Sequence, residues 1–410
     1  MSADAATPAV PAPGRGGAVD TLFVGHEASR TGAPLMFLYF LRWLRQHTDL
    51  RFEIVLVEGG PLVEAFAEVA PTTVLADLRD HPLSKALVAA RLDRQAAMVR
   101  GVLARRRLAH LRSVSTVYCN SVVSLRMIHL LGRRPPLVVA HVHELMGALG
   151  MPQSEPDRAR LLEADHVVVA SDLVRDYVVG EHGVDPARVA RHYEFIEVDA
   201  FLAQVPAERV DLRARLGIPA DAAVVGAMGV TESRKGPDLF LNLAQALRRR
   251  DLGRPVHLVW VGATPDTEET RWMEHDLAKA GLGGLVHVVE PQAAPAPWFE
   301  LFDVFALTSR EDPFPLVCLE SSLLGTPIVC FDNTGMAEFA GAGECGFVVP
   351  YFDVEAMADR VVDLLEDPAL RDAVGARASA AVRERFDVSA GAPALWADLA
   401  RWRAEAGLGG

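Results

Sequence analysis

Residues 309–329 read SREDPFPLVCLESSLLGTPIV, directly after the short apolar run DVFAL at 303–307. That run has the length and composition of a buried strand. The polar residues and prolines from Ser309 to Pro315 form a loop. From Leu316 to Leu324 the apolar spacing turns helical, and GTPIV opens another apolar run. Strand, loop, helix and strand in this order are the repeating unit of a parallel sheet covered by helices. The alternation extends on both sides, with apolar runs at 223–228, 256–261, 285–289, 328–331 and 347–349. An earlier series occupies 21–25, 52–57, 72–75, 116–119, 137–141 and 166–170, with helical patterns at 34–46, 121–131 and 172–179. The two series are separated by mixed helical and loop residues at 197–219, which places a boundary near 198–208. Beyond Asp353 the chain reads as wholly helical, broken at Pro368 and at the Phe386-Asp387 step.

Bulk properties agree with two domains. The chain has 410 residues, and single cores stop growing at roughly 250–300. The expected division is a disordered tail (1–18), an N-terminal α/β domain (19–200), a C-terminal α/β domain (201–385) and a last helix (386–410) that packs back towards the N-terminal domain. A net charge of -13 argues against nucleic acid as a partner, which calls for a basic surface. The four cysteines are scattered without a CxxC pair, so reduced thiols in a cytoplasmic protein are expected rather than disulfides or zinc. The Ala-, Pro- and Gly-rich start has no signal-peptide core, and no apolar run is long enough for a bilayer.

Four groups of residues carry chemistry. In the opening stretch, the loop-to-helix step exposes backbone N–H groups near Phe314, Pro315, Leu316 and Val317, suited to a diphosphate or to sugar hydroxyls. Asp312 and Glu320 stand two helical turns apart and can border one elongated ligand. As an isolated pair they also fit a helix cap and a solvated glutamate. Upstream, the run VVGAMG at 224–229 leads to Arg234-Lys235-Gly236 at another strand-to-helix turn. Two adjacent cations before a helix start make a diphosphate clamp, and Gly236 allows the tight turn. At the first strand, VGHEASRTGAPLMFLYFLRWL (24–44) is a strand, a polar loop with Gly32, and a helix. Finally, VVAHVHE (138–144) puts His141 and His143 on one strand face, with no third metal ligand evident. There is no Asp-x-Asp pair, Walker A loop or GxGxxG after the first strand, so triphosphatase and dinucleotide-oxidoreductase readings lack their phosphate loops.

The fuller pattern SREDPFPLVCLE, LGTPIV and TGMAEF resembles the E-x7-E region of the family 4 retaining glycosyltransferases, which have the GT-B fold of two Rossmann-like domains facing across a cleft. Here the motif is D-x7-E, Asp312 to Glu320, with Glu311 beside it. The resemblance implies that Asp312 contacts the transferred sugar and that Glu320 accepts hydrogen bonds from the nucleotide ribose. Arg234-Lys235-Gly236 is similar to the family's basic loop, which neutralises the leaving diphosphate; Val230 stands where many members have arginine. The Gly32 loop resembles the family's N-terminal glycine loop, which touches the donor phosphate from the opposite domain. The resemblance puts His143 near the reacting sugar, with Glu144 buttressing its loop and His141 structural. It implies a retaining, hexosyltransferase-type enzyme that takes a UDP- or GDP-sugar as donor substrate, with no tightly bound cofactor and no metal requirement. The hydroxyl acceptor is a glycan, glycolipid or small molecule. An epimerase of the same fold and a non-catalytic nucleotide-sugar-binding protein are the competing readings.

One further segment bears on partners. Residues 91–112 interleave Arg94, Arg100, Arg105, Arg106, Arg107 and Arg112 with apolar side chains. Such a helix suits peripheral contact with an anionic membrane, and it equally suits a solvent-facing helix packed on the sheet.

Overall fold

The computed structural model describes residues 19–206, 211–342 and 344–409. The expected tail (1–18) and the end of the expected boundary (207–208) therefore lie outside the described residues. Two wholly parallel sheets organise the chain. The first holds β1 (Thr21–Gly25), β2 (Phe52–Leu56), β3 (Thr72–Val74), β4 (Thr116–Cys119), β5 (Leu137–Val142), β6 (His166–Val169) and β7 (Val189–Arg191), in the order β3-β2-β1-β4-β5-β6-β7. The second holds β8 (Ala223–Met228), β9 (Val256–Val261), β10 (Val286–Val289), β11 (Val304–Leu307), β12 (Ile328–Phe331) and β13 (Gly346–Val349), in the order β10-β9-β8-β11-β12-β13. Both are Rossmann-like, and in both the strand order reverses beside the first strand. Loops that leave the carboxyl ends on either side of such a reversal diverge and leave a crevice.

The central strands are buried on both faces, which is why they read as unbroken apolar runs. In the N-terminal half, Phe23 on β1 packs edge-on against Phe52 at 5.2 Å and beside Tyr118 on β4 at 5.4 Å. In the C-terminal half, Phe240 meets Trp260 on β9 at 5.4 Å. β7 is the strand with no sequence signal: it has three residues, none of them fully buried, and it ends in arginine. Residues 122–131, expected as an α-helix, wind as 3-10 turns instead.

The last helix (Val388–Glu405) returns to the first sheet. Arg403 is buried and donates to the hydroxyls of Thr21 (2.7 Å) and Thr116 (2.9 Å), the first residues of β1 and β4. Trp402 stacks on His166 at 4.3 Å. To get there the chain passes Ile196 a second time. Ile196 N–H donates to Phe386 O (2.9 Å), and Val388 N–H donates to Ile196 O (2.8 Å). The outgoing and returning segments thus run side by side.

Candidate functional site

On the C-terminal side, two adjacent loops form one block. Residues Ser233–Lys235 make a 3-10 turn after β8, and Gly236 follows with φ +68° before the helix Pro237–Arg248. A Cβ at Gly236 would lie 2.0 Å from the carbonyl oxygen of Thr308, so both the turn and the close approach exclude a side chain there. Thr308 donates back to Gly236 O (3.0 Å). Arg310 clamps the block from outside, giving two bonds to Asp238 (2.9 and 2.7 Å) and one to Ser233 O (2.7 Å). Its guanidinium is therefore spent on loop shape. Inside the block, Lys235 Nζ reaches Asp312 at 2.5 Å, and Ser309 donates to the same carboxylate oxygen at 3.1 Å. Arg234 lies 4.0 Å from Asp312 and is more exposed.

The loop from β11 ends at Pro315, which starts the helix Leu316–Leu323 and has no N–H of its own. No side chain caps this helix, so the N–H groups of Leu316 and Val317 are left for an outside acceptor. Phe314 is buried against Tyr193 (4.8 Å) and Phe386 (5.6 Å), which pins the loop next to the returning chain. Glu320 sits one turn into the helix, 7% exposed, with no hydrogen-bond partner among the described residues. Burial pushes its carboxyl up to about 7. It faces Tyr39 of the helix Gly32–His47, whose hydroxyl is pushed up by burial first and then by the Glu320 charge.

On the N-terminal side the residues come from three strand ends. His143, just after β5, is held at both ring nitrogens: Nδ1 lies 2.6 Å from Glu194 Oε1, and Nε2 lies 3.1 Å from Asn120 Oδ1. Both partners are placed to accept, so the ring suits the doubly protonated, charged form. Burial opposes that charge, but Glu194 outweighs it, and the pKa is raised. Glu144 accepts from the His143 N–H (2.8 Å), the Val122 N–H (3.1 Å) and the Ser121 hydroxyl, so it fixes the loop. Buried His141 pairs with the Tyr118 hydroxyl (2.7 Å), and burial holds it neutral. His141, His143 and Glu194 do cluster as a third ligand would require. Their atoms are mostly engaged, and only His141 Nε2 and Glu194 Oε2 are buried without partners.

Three of the contacts between the halves involve residues of the cleft. The Cα of Gly32 turns towards Leu316, whose Cγ would lie 3.6 Å from an added Cβ. The Gly32 loop therefore abuts the uncapped helix start. Glu311, adjacent to Asp312, does not share its partners; it reaches across to accept from the Gly147 N–H at 2.7 Å. Glu338, in the TGMAEF turn, accepts from the Asp172 and Leu173 N–H groups (3.1 and 3.0 Å) at the start of the helix Asp172–Gly180. The cleft thus gathers Lys235, Asp312, Leu316, Val317 and Glu320 opposite Gly32, with His143 beyond β5. Asn120, Glu194 and Glu338 have roles that no spacing rule reveals. Glu194 stands 51 residues from its histidine, just after a strand without an apolar run, so its only signal is spatial.

Residues 208–380 match the family model described as Glycosyl transferases group 1. Among curated relatives, the D-inositol 3-phosphate glycosyltransferase of Saccharomonospora viridis is 32% identical over 230 residues, covering 55% of this chain and 52% of its own. D-inositol 3-phosphate glycosyltransferase 1 of Catenulispora acidiphila is 30% identical over 231 residues, 54% of each chain. The chain spans about half the length of the curated relatives it matches. Among solved structures, Anabaena HepE in complex with UDP-glucose superposes with a TM-score of 0.74 at 18% identity, over 93% of this chain and 99% of that one. That likeness establishes the shared fold.

Proposed function

We propose that this chain, which belongs to the family 4 glycosyltransferases of GT-B fold, moves a hexose from a UDP- or GDP-sugar to an acceptor hydroxyl with retention of anomeric configuration. The observation that carries the reading is the convergence of two cations, an uncapped helix start and an unpartnered buried carboxylate on one cleft. Lys235, Arg234 and the N–H groups of Leu316 and Val317 receive the diphosphate, and Gly32 closes on it from the other domain. Glu320 accepts the ribose hydroxyls. Asp312 turns from Lys235 to a hydroxyl of the sugar, and charged His143 lies on the sugar's far side.

Chemically, the bond from C1 to the diphosphate oxygen breaks as negative charge collects on the leaving group. Groups already in place for that charge supply a preorganised stabilisation of roughly 3–4 kcal/mol per well-placed donor. The acceptor oxygen then bonds C1 on the same face, and its proton passes to the departing phosphate. No protein base and no metal enters this scheme. The acceptor belongs to polysaccharide, glycolipid or natural-product assembly, and the N-terminal domain receives it. Peripheral contact with an anionic membrane through residues 91–112 fits a lipid-linked acceptor. Two of its arginines are engaged internally, Arg100 on Ser84 and Arg107 on Val74 O, while Met98 (72% exposed) and Val102 (51% exposed) face outward beside Arg94 and Arg106.

The test is a panel of UDP- and GDP-sugars, assayed for slow hydrolysis alone and for transfer with acceptors that include D-inositol 3-phosphate. One donor should be consumed, and the anomeric proton coupling of the product should match that donor. Inversion would overturn the retaining scheme, and nucleotide binding without any turnover would overturn the enzyme reading.

A further inference from the structure

A second cavity, of about 380 Å³, lies at the other end of the first sheet. Its wall includes Gly132 to Arg134, in the connection into β5, Val138 at the start of that strand, and Glu163, just before β6. These are the amino ends of the strands, whereas His143 and the cleft lie beyond the carboxyl ends. Arg105, from the helix Asp93–Arg107, closes one side, and His129 and Arg160 close another.

The charges around this cavity do not cancel. Arg134 pairs with Asp165 at 2.9 Å, while Arg126 and Arg160 share the single carboxylate of Asp157. Arg133 gives its bonds to the carbonyls of Arg112 and Val114, which shape it without neutralising it. Arg105 has no hydrogen bond or ion pair among the described residues. Arg105, Arg133, Arg134, Arg160 and Glu163 line the cavity; with the ion-pair partners Asp157, Asp165 and Arg126 behind them, five guanidinium groups stand against three carboxylates, a local charge of +2 in a chain whose net charge is -13. Two guanidinium groups without a carboxylate partner on the wall of one concave site have the charge and donor chemistry that a phosphate oxyanion calls for.

We propose that this cavity is a second binding site, separate from the cleft, for a phosphate-bearing ligand. Arg105 and Arg133 hold the phosphate, and the remaining volume takes the group that carries it. Because Arg105 projects from the segment with exposed Met98 and Val102, the phosphate can belong to a free ester or to a lipid headgroup. The chemistry of recognition is the same.

The experiment measures binding of inorganic phosphate by equilibrium dialysis to the full chain and to the variants Arg105→Glu, Arg133→Gln and Lys235→Ala. Arg105 is exposed, so its reversal leaves the fold intact; a thermal melt checks Arg133→Gln. Two phosphate-binding events are expected: the one at this cavity should weaken at least tenfold in Arg105→Glu and in a folded Arg133→Gln and persist in Lys235→Ala, whereas Lys235→Ala weakens only the one in the cleft. In a second arm, vesicles of phosphatidylglycerol in phosphatidylcholine are sedimented with the protein. Capture that phosphate competes away assigns the ligand to a lipid headgroup, and phosphate binding without capture assigns it to a free ester. The proposal is overturned if phosphate fails to bind below about 10 mM, or if its binding follows Lys235 and ignores Arg105.

Discussion

In the C-terminal half, residues 233–238 and 308–315 follow the neighbouring strands β8 and β11 and are tied to each other repeatedly: Thr308 to Gly236, Arg310 to Asp238, Lys235 to Asp312. In the N-terminal half, the groups that face them come from β4, β5 and β7. They are tied together at the site by the side-chain chain Asn120–His143–Glu194. One side is a pair of local turns whose shape follows from short stretches of sequence. The other is a buried polar network that exists only once the sheet has formed. Local turns tolerate loss of one charge with their backbone intact. A buried network does not, because each orphaned group keeps its desolvation cost.

The comparison is broken most severely from the C-terminal side by Lys235→Ala. Donor turnover should fall about 10²–10³-fold, with a loss of stability as well because buried Asp312 loses its cation; near-normal turnover would remove the clamp.

On the N-terminal side, Glu194→Gln should act on stability as well as on rate. The folded-state pKa of His143 is raised above its unfolded value, so the pair's stabilisation is complete below about pH 6.5 and fades as pH rises through the folded value. Denaturation at pH 6 should show a loss of about 3 kcal/mol, shrinking in alkaline buffer. An equal loss at all pH values would mean that the charge on His143 is irrelevant.

Glu320→Gln probes the shared face. With its carboxyl near pH 7, wild-type nucleotide affinity should rise about tenfold between pH 6 and 8 as the acceptor ionises. The glutamine variant should give a flat profile. The sign for stability is opposite. A raised carboxyl leaves the folded state holding a proton that the unfolded chain has lost, so wild type loses stability from about pH 4.5 up to 7. Above pH 7 the variant should be more stable, by on the order of 3 kcal/mol. Last, Glu338→Ala removes a cap that one domain supplies to the other's helix and should cost about 1 kcal/mol in a denaturant titration.

The same contrast explains what the sequence made legible. Buried parallel strands announce themselves as apolar runs, so β1, β4, β8, β9, β11 and β12 end where the runs end. β7 lacks a buried face and left no signal. Lys235, Asp312 and Glu320 stand out because strand, turn and helix start lie within a few residues of each other. Glu311 stands beside Asp312 in the sequence, but its hydrogen bond to the Gly147 N–H, across the cleft, could be seen only in the fold. Glu194 was out of reach because its meaning depends on two other strands. The basic cavity was half visible: its Arg105 lay in an arginine-rich segment, but Arg133 and Arg160 join it only through the fold.

The paired crossing at Ile196 and the Phe386–Val388 step carries a mechanical consequence. Two connections bonded side by side behave like a door hung on adjacent pins: they permit rotation about one line and resist twist and slide. A movement that separates Gly32 from Leu316 must then also draw Glu311 off Gly147 and Glu338 off the helix at Asp172. Admission of substrate and release of product become positions along a single angular coordinate, and the three contacts across the gap are its latch.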